Sequence, residues 1–468
     1  MKKAISLFML IIPLSSFSYV FICNSFNKYN YLFLLPLVFW LCYHLFLKKF
    51  LFERFSFFRI AFITVLFLRY VVLPFLIVCA NYDNIVSSYK PSVYQINLAI
   101  ALMVYELIAY SIFLWFFSKI KSNNYNKKKV ISNINYRNSI FCIFCIVALL
   151  LLFLTPSVIH YYNFISVSKG LNSLTFSTME EITILFTSCA KGLIFLMLLD
   201  RFSKTYKRNN NKLYYYLGLV VTIINSCIYY GANRSTFIFI AIASFATFYS
   251  FYRKGLKQMI IIVCSIVFVI LPIITAYRNY YDYYSQFSGI ERILISSQGK
   301  INEYFGGINN VAVGIETANV FPDNRNLLNL LFDFTRPVVG LNIFLKNLNM
   351  DYSNLYFNYC YHQSNLVSVI FPTISQGYFY FGFIGAPLLG IILIIIALKL
   401  EKYCLDLTNP FFIYFFTPSL LRLGTLTGPN INIQMNDLSL KIIAPVILVL
   451  LYKLLTKKKG MNRIHYET

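Results

Sequence analysis

Charge is what this sequence has least of. Only 12% of its 468 residues are charged, about half the ~25% of a soluble domain. Acidic side chains are especially scarce, 17 against 41 basic ones, and histidine occurs four times. The familiar signatures of soluble chemistry are missing too: no phosphate-binding P-loop, no G-x-S-x-G, no H-E-x-x-H and no D-x-D for metal-held nucleotide sugars. ATP hydrolysis and nucleotide-sugar transfer are therefore not expected. There are ten cysteines, but most fall inside apolar runs (Cys42, Cys79, Cys142, Cys145, Cys189, Cys227, Cys264) and behave there as small hydrophobes. Cys142 and Cys145 form a C-x-x-C without a partner pair, so neither a disulfide framework nor a zinc site is legible. No internal repeat stands out.

What is present is hydrophobicity, at 58% of residues, in runs long enough to cross about 30 Å of hydrocarbon. The fold class expected is an all-α polytopic integral membrane protein with about twelve transmembrane helices. They are placed at 4–23, 30–47, 56–79, 94–118, 138–159, 177–199, 213–231, 235–252, 258–277, 382–400, 410–425 and 438–456. Spans 213–231 and 235–252, parted by "ANR", read as a tight helical hairpin with Arg234 at its tip. The net charge of +24 sits in short clusters between spans, such as "KIKSNNYNKKKV" and "RFSKTYKRNNNK". That is the positive-inside pattern, not a footprint for nucleic acid. It puts both termini in the cytoplasm. The start, "MKKAISLFMLIIPLSSFS", looks like a signal peptide but lacks a small-residue cleavage site, and reads as an uncleaved first span.

The chain divides accordingly into helices 1–9 (residues 1–277), a large partly helical extracytoplasmic loop (278–363), a re-entrant or interfacial segment with the last three spans (364–456) and a cytoplasmic tail (457–468). Loops above about 15 residues are usually functional or disordered. This one is rich in aromatics, and "NEYFGGINNVAVGIE" and "NLLNLLFDFTRPVVGLNIFL" have the apolar spacing to fold on the membrane surface.

Charges inside spans mark function or pairing. Arg69 and Glu106, near mid-depth of adjacent antiparallel spans, read as an ion pair; Lys191 has no evident partner and suits a carboxylate or a lipid phosphate. Arg234, Arg278, Arg336 and Arg422 fall at span ends or in the large loop. Guanidinium groups bind phosphate in a fixed fork and stay charged when buried, so several converging on one outer cavity would form a pyrophosphate site; singly, each is expected to snorkel or pair with a carboxylate. His362 lies where the loop returns to the membrane, placed for an acid–base or orienting role. Tyr280 and Tyr281, in "YRNYYDYYSQF", offer stacking faces for sugars beyond the ordinary aromatic belt. The stretch "FPTISQG" reads as broken or re-entrant, with the true span beginning near "FGFIGAPLLG", where Gly382 and Gly385 allow close packing.

Together these features resemble the Wzy-type O-antigen and capsular repeat-unit polymerases: the layout throughout, and locally "HQSNLVSVIFPTISQGYFYFGFIGAPLLG", "NRSTFIFI" and "AYRNYY". The chain departs from them at Gln376, where such proteins often carry Glu. The resemblance implies a polymerase/ligase architecture of the GT-C type in a bacterial cytoplasmic membrane. It also implies metal-independent transfer of a growing glycan from undecaprenyl pyrophosphate to a fresh lipid-linked repeat unit, with no cofactor and no nucleic-acid partner. In that reading Arg234 and Arg278 hold the pyrophosphate, His362 serves the acceptor hydroxyl, and Arg336, Arg422, Tyr280 and Tyr281 bind substrate; membrane lipids, a chain-length regulator and a flippase are the expected associates. An O-antigen ligase and a transporter of lipid-linked oligosaccharide are the alternatives.

Overall fold

The computed structural model describes the chain except residues 1, 83–86, 122–135, 137–138, 165–176, 232–233, 254–286, 346–347, 349, 363–368, 405–408 and 465–468, and the side chains at 118, 120–121, 234 and 456–464. The span expected at 258–277 lies outside the described residues. So do Arg278, Tyr280 and Tyr281.

In chain order the helices are α1 (Lys2–Cys23), α2 (Leu34–Glu53), α3 (Phe57–Ala80), α4 (Val93–Lys121), α5 (Ser139–Leu154), α6 (Thr178–Asn209), α7 (Lys212–Cys227) and α8 (Arg234–Tyr252). Then come α9 (Gly289–Phe305), α10 (Ile308–Val320), α11 (Leu327–Thr335), α12 (Ser353–His362), α13 (Thr373–Gly385), α14 (Leu388–Cys404), α15 (Pro410–Gly424) and α16 (Ile431–Leu455). Among the described residues seven are long and apolar enough to cross a membrane, and α13 with α14 makes an eighth if that bent pair is one span. The protein is an all-α membrane protein with, among the described residues, one two-stranded ribbon, β1 (Tyr162–Phe164) against β2 (Ile228–Tyr230).

Two compact units are assembled from interleaved stretches. The first comprises 1–128, 281–401 and 420–436; the second 129–280, 402–419 and 437–468. In the first, Arg69 and Glu106 form the ion pair expected of them, Nη1 to Oε2 at 2.5 Å with both side chains fully buried. Arg69 stands midway along α3, in a π-helical turn at Leu68–Val72, the kind of local widening that is frequent at functional sites. Tyr70 donates to the same carboxylate oxygen at 2.9 Å.

Arg69 also reaches a segment expected elsewhere. Its Nε donates to Gly306 O at 2.7 Å, so the turn between α9 and α10 lies level with the middle of a candidate span. α9 packs along the later half of α3, and α10 against α4 and α13. The stretch "NEYFGGINNVAVGIE" therefore does not lie on a surface: it is a helical hairpin inserted among the spans, and Ile308–Ile315 are all buried. Gly306 makes this turn possible, since its φ of +65° is left-handed and a Cβ there would stand 2.8 Å from Thr427 O and 2.9 Å from Pro372 Cβ. Asn302 Nδ2 donates to Asn310 Oδ1 (3.1 Å) and Asn302 Oδ1 accepts from Asn309 N (3.3 Å), which ties the tip together. In the second stretch α11 is amphipathic: it turns Leu327, Leu328 and Leu331 outward and buries Leu330, Phe332 and Asp333.

The "FPTISQG" segment is itself helical. Pro372 precedes the first turn of α13, and the sharp bend, 110°, comes later, between Gly385 and Leu388. Gly382 supplies a kink (φ +67°), with nothing within 4 Å of its would-be Cβ, so it does not serve close packing. That role falls to Gly377, whose Cβ would meet Ala386 O at 1.9 Å as the chain folds back after the bend.

In the second unit α6 begins with a capping box, Ser177 and Glu180 satisfying each other's backbone N–H, and ends on left-handed Asn210. α7 and α8 pack together as the expected hairpin, but α7 stops at Cys227 and β2 intervenes before α8. Among the described residues Lys191 meets no carboxylate: its Nζ donates to Asn225 O at 3.0 Å and to Ile228 O, closing the carbonyl end of α7.

A buried ion pair missing one partner leaves an uncompensated charge costing about 3–5 kcal/mol. Glu106→Gln should accordingly lower the thermal midpoint of the purified protein more than Arg69→Met combined with Glu106→Met. Equal losses in single and double variants would show that the pairing is not what the region depends on.

Candidate functional site

The densest polar cluster in the first unit was not singled out by the sequence. Its centre is Asp333, fully buried on the inner face of α11. Oδ1 accepts from Ser353 N (3.2 Å) and Asn432 Nδ2 (2.8 Å). Oδ2 accepts from Gln376 Nε2 (2.7 Å), Tyr380 OH (2.7 Å) and the Ser353 hydroxyl. Gln376 in turn reaches Ser353 Oγ (2.9 Å) and Asn432 Oδ1 (3.2 Å), and its Oε1 accepts from Ile431 N (2.8 Å). One carboxylate thus joins α11, α12, α13 and the start of α16. Burial pushes its pKa up while the surrounding donors hold it down, the first effect prevailing. With both oxygens occupied it has no lone pair to offer a substrate; it fixes backbone.

What it fixes are the two helices that carry candidate residues. Arg336 follows one turn after Asp333, at the C-cap of α11, half-buried, and its guanidinium has no hydrogen bond or ion pair among the described residues. His362 ends α12, which begins at Ser353. Its ring is half-buried, lies edge-on to Tyr361 with centroids 4.9 Å apart, and is held below the usual histidine pKa of 6.5 by that burial. The returning chain is clamped to α12 by Asn358, which donates to Val369 O (3.0 Å) and accepts from Val369 N (2.9 Å). Phe357, Tyr361, Phe371 and Phe379 pack beneath as a buried aromatic cluster.

Arg422 is 4% exposed and lies two residues before Gly424, whose Cβ would meet Ala61 Cβ at 2.5 Å near the start of α3. It is thus buried among helices. Arg325, counted only as a loop charge, donates through Nε to Phe379 O at 2.8 Å.

Arg234 belongs to the second unit and opens α8, its side chain outside the described residues. There a groove of about 340 Å³ runs between α5, α6 and α7, walled by Leu149, Leu152, Ile194, Leu198 and Ile224 and reaching Lys191. Among the described residues its only charged lining residue is Lys191, which also borders a cavity of about 50 Å³ with Tyr230, Tyr414 and Lys441. Lys441 Nζ stands 3.4 Å from Asp437 Oδ2. An ammonium has three N–H donors, and two of those on Lys191 are used by backbone carbonyls, of Asn225 in α7 and of Ile228 just after it. Among the described residues no three His, Cys, Asp or Glu side chains are grouped as for a metal ion.

Exchanging carboxylate and amide tests the Asp333 cluster. Asp333→Asn sets two amide nitrogens against each other and Gln376→Glu sets two carboxylates together; each should lower the thermal midpoint of the purified protein. The double exchange restores one of each and should recover most of the loss, with a coupling of about 0.5–3 kcal/mol. Strictly additive losses would mean the two side chains do not act as one unit. In comparisons with known proteins the chain matches no family model, no curated protein and no solved structure.

Proposed function

We propose that the protein is a membrane glycosyltransferase that polymerises lipid-linked oligosaccharide repeat units, moving a growing glycan from a polyprenyl pyrophosphate to a fresh unit on the outer face of a bacterial cytoplasmic membrane. The observation that carries the reading is the groove of the second unit, walled mainly by apolar side chains and lined among the described residues by one ammonium group, Lys191. A long isoprenoid chain with an anionic head has that pattern. Arg234 and Arg278 are assigned to the pyrophosphate leaving group, whose developing charge needs fixed cations, with Arg336, at the end of α11, as a further phosphate ligand. His362, neutral near pH 7, orients or deprotonates the acceptor hydroxyl. The full count of twelve spans and cytoplasmic termini belong to this proposal, as do the absence of any cofactor and an association with a chain-length regulator and a flippase.

A second reading draws on a different observation. Helices that break level with the middle of a span, as α9–α10 do at Gly306, are characteristic of transporters, and a flippase for the same substrate would use them. A detergent-solubilised preparation separates the two, because a micelle has no second compartment. Purified protein given lipid-linked repeat units should lengthen them there; no lengthening in micelles, with translocation across vesicles, would replace the polymerase reading by the transporter one.

Variants refine the roles. Arg234→Ala, Arg278→Ala and Lys191→Met should stay in the membrane and leave single repeat units on lipid; long polymer from all three would remove the anion assignment. Because burial lowers the His362 pKa, its basic form persists to lower pH than in a free histidine. The acid limb of kcat/KM should then have its midpoint below 6.5 and vanish in His362→Ala. A limb unchanged in that variant assigns it to another group.

A further inference from the structure

The groove of the second unit is apolar over most of its wall, but not beside Lys191. There it is lined by Tyr162 of β1, Thr187 of α6, Asn225 of α7 and Ile228 of β2. Tyr162 belongs to residues 155–164, which leave α5, pass through a 3₁₀ turn (Pro156–Tyr161) and form β1. Three side-chain bonds tie this segment to α6. Ser157 Oγ donates to Glu180 Oε1, Thr155 Oγ1 lies 2.8 Å from Thr183 Oγ1, and Tyr162 OH lies 2.6 Å from Thr187 Oγ1. Glu180, Thr183, Thr187 and Lys191 follow one another at helical spacing on one face of α6. The bonded row therefore descends, turn by turn, to the ammonium group.

Little apolar burial holds the segment in place. Within 155–164 only Val158 and Asn163 are buried, while Ile159, His160 and Phe164 turn outward. A stretch with so few buried apolar contacts opens at a lower free energy than the helices around it. Its far end is fastened to β2 instead: Asn163 Nδ2 donates to Gly231 O at 3.0 Å, Gly231 N donates to Tyr161 O at 3.1 Å, and Phe164 pairs with Ile228. Ile228 O is one of the two carbonyls that occupy Lys191. The segment and the ammonium are thus linked through the ribbon as well as along α6.

We propose that residues 155–164 are a strap that gates the groove, closed in this structure and lifted to admit the anionic head of an amphiphile to Lys191. Lifting breaks the bonds of Ser157, Thr155 and Tyr162 to α6, and the hydroxyls freed on both sides can turn to water or to oxygens of the entering head. The ribbon moves with the strap, Ile228 O leaves Lys191, and the ammonium recovers a donor for the incoming oxygen. Closing restores the carbonyl contact once the groove is empty. The inference rests on the lipid reading of the groove given above and adds the route of entry and its control.

The test uses the full-length protein purified in detergent, with radiolabelled farnesyl phosphate as the probe. Thr155→Cys combined with Thr183→Cys sets two sulfurs at the 2.8 Å hydroxyl contact, where oxidation can join them. Loading of the probe should slow by about tenfold on oxidation and recover with dithiothreitol, as for a closed lid. Tyr162→Phe, which removes one bond and little else, should load and release the probe about fivefold faster, the worth of one neutral hydrogen bond. Without any ligand, amide hydrogen exchange at 156–164 should be faster than along α6 and faster still in Tyr162→Phe. Equal loading before and after cross-linking, or a Tyr162→Phe rate equal to that of the unchanged protein, would overturn the gate alone. No loading by the reduced protein would remove the lipid reading of the groove, and the gate with it. Exchange at 156–164 as slow as in α6 would show that the segment is no strap, whatever the groove holds.

Discussion

Backbone polar groups that stop short of the water must find partners inside the protein, and the first unit is organised around that requirement. Three chain reversals meet in it: Gly306–Gly307, the start of α13 at Pro372, and the turn from Thr425 to Asn430. Arg69 supplies one donor, to Gly306 O. Thr373 Oγ1 supplies another, lying 2.6 Å from both Leu426 O and Pro429 O. Asn430 Oδ1 accepts from Ile433 N at 3.0 Å and begins α16. Without these few polar side chains the breaks could not be held there, and the loop would be confined to the surface.

The same economy governs Asp333. A carboxylate buried alone is prohibitive, yet five donors from three neighbouring elements make it a fixed point. Gln376 serves better here than a glutamate would, because it brings a donor to Asp333 and an acceptor to Ile431 N at once. The charge thus sits on α11 and the amide opposite it on α13.

Much of the helical framework was legible. The ends of α3, α4 and α8 fall within a few residues of expectation because uninterrupted apolar runs and flanking polar residues define them, and the Arg69–Glu106 pair was readable since two opposite charges at matching depth have few other partners. The inserted hairpin was not. α9 and α10 are too short and too polar to look like spans, and their burial depends on Asn302, Asn309 and Asn310, which locally resemble loop residues. Asp333 was hidden among loop carboxylates for the same reason. Its signal, an acidic residue on the apolar face of an amphipathic turn beside Leu330 and Phe332, is weak until the face is known. Lys191 illustrates the opposite case: its burial was evident, but the carbonyls it serves belong to backbone and leave no mark in side-chain identity.

The five donors to Asp333 come from residues 353, 376, 380 and 432, the first giving two. During synthesis the carboxylate is therefore made a hundred residues before its last partner. Until the turn into α16 has entered the bilayer, α11 carries a charge with an incomplete shell and has reason to remain at the water interface. The closing of the first unit is thus timed by the C-terminal end of the chain, and the second unit, most of whose helices lie earlier, is largely made while the first still waits.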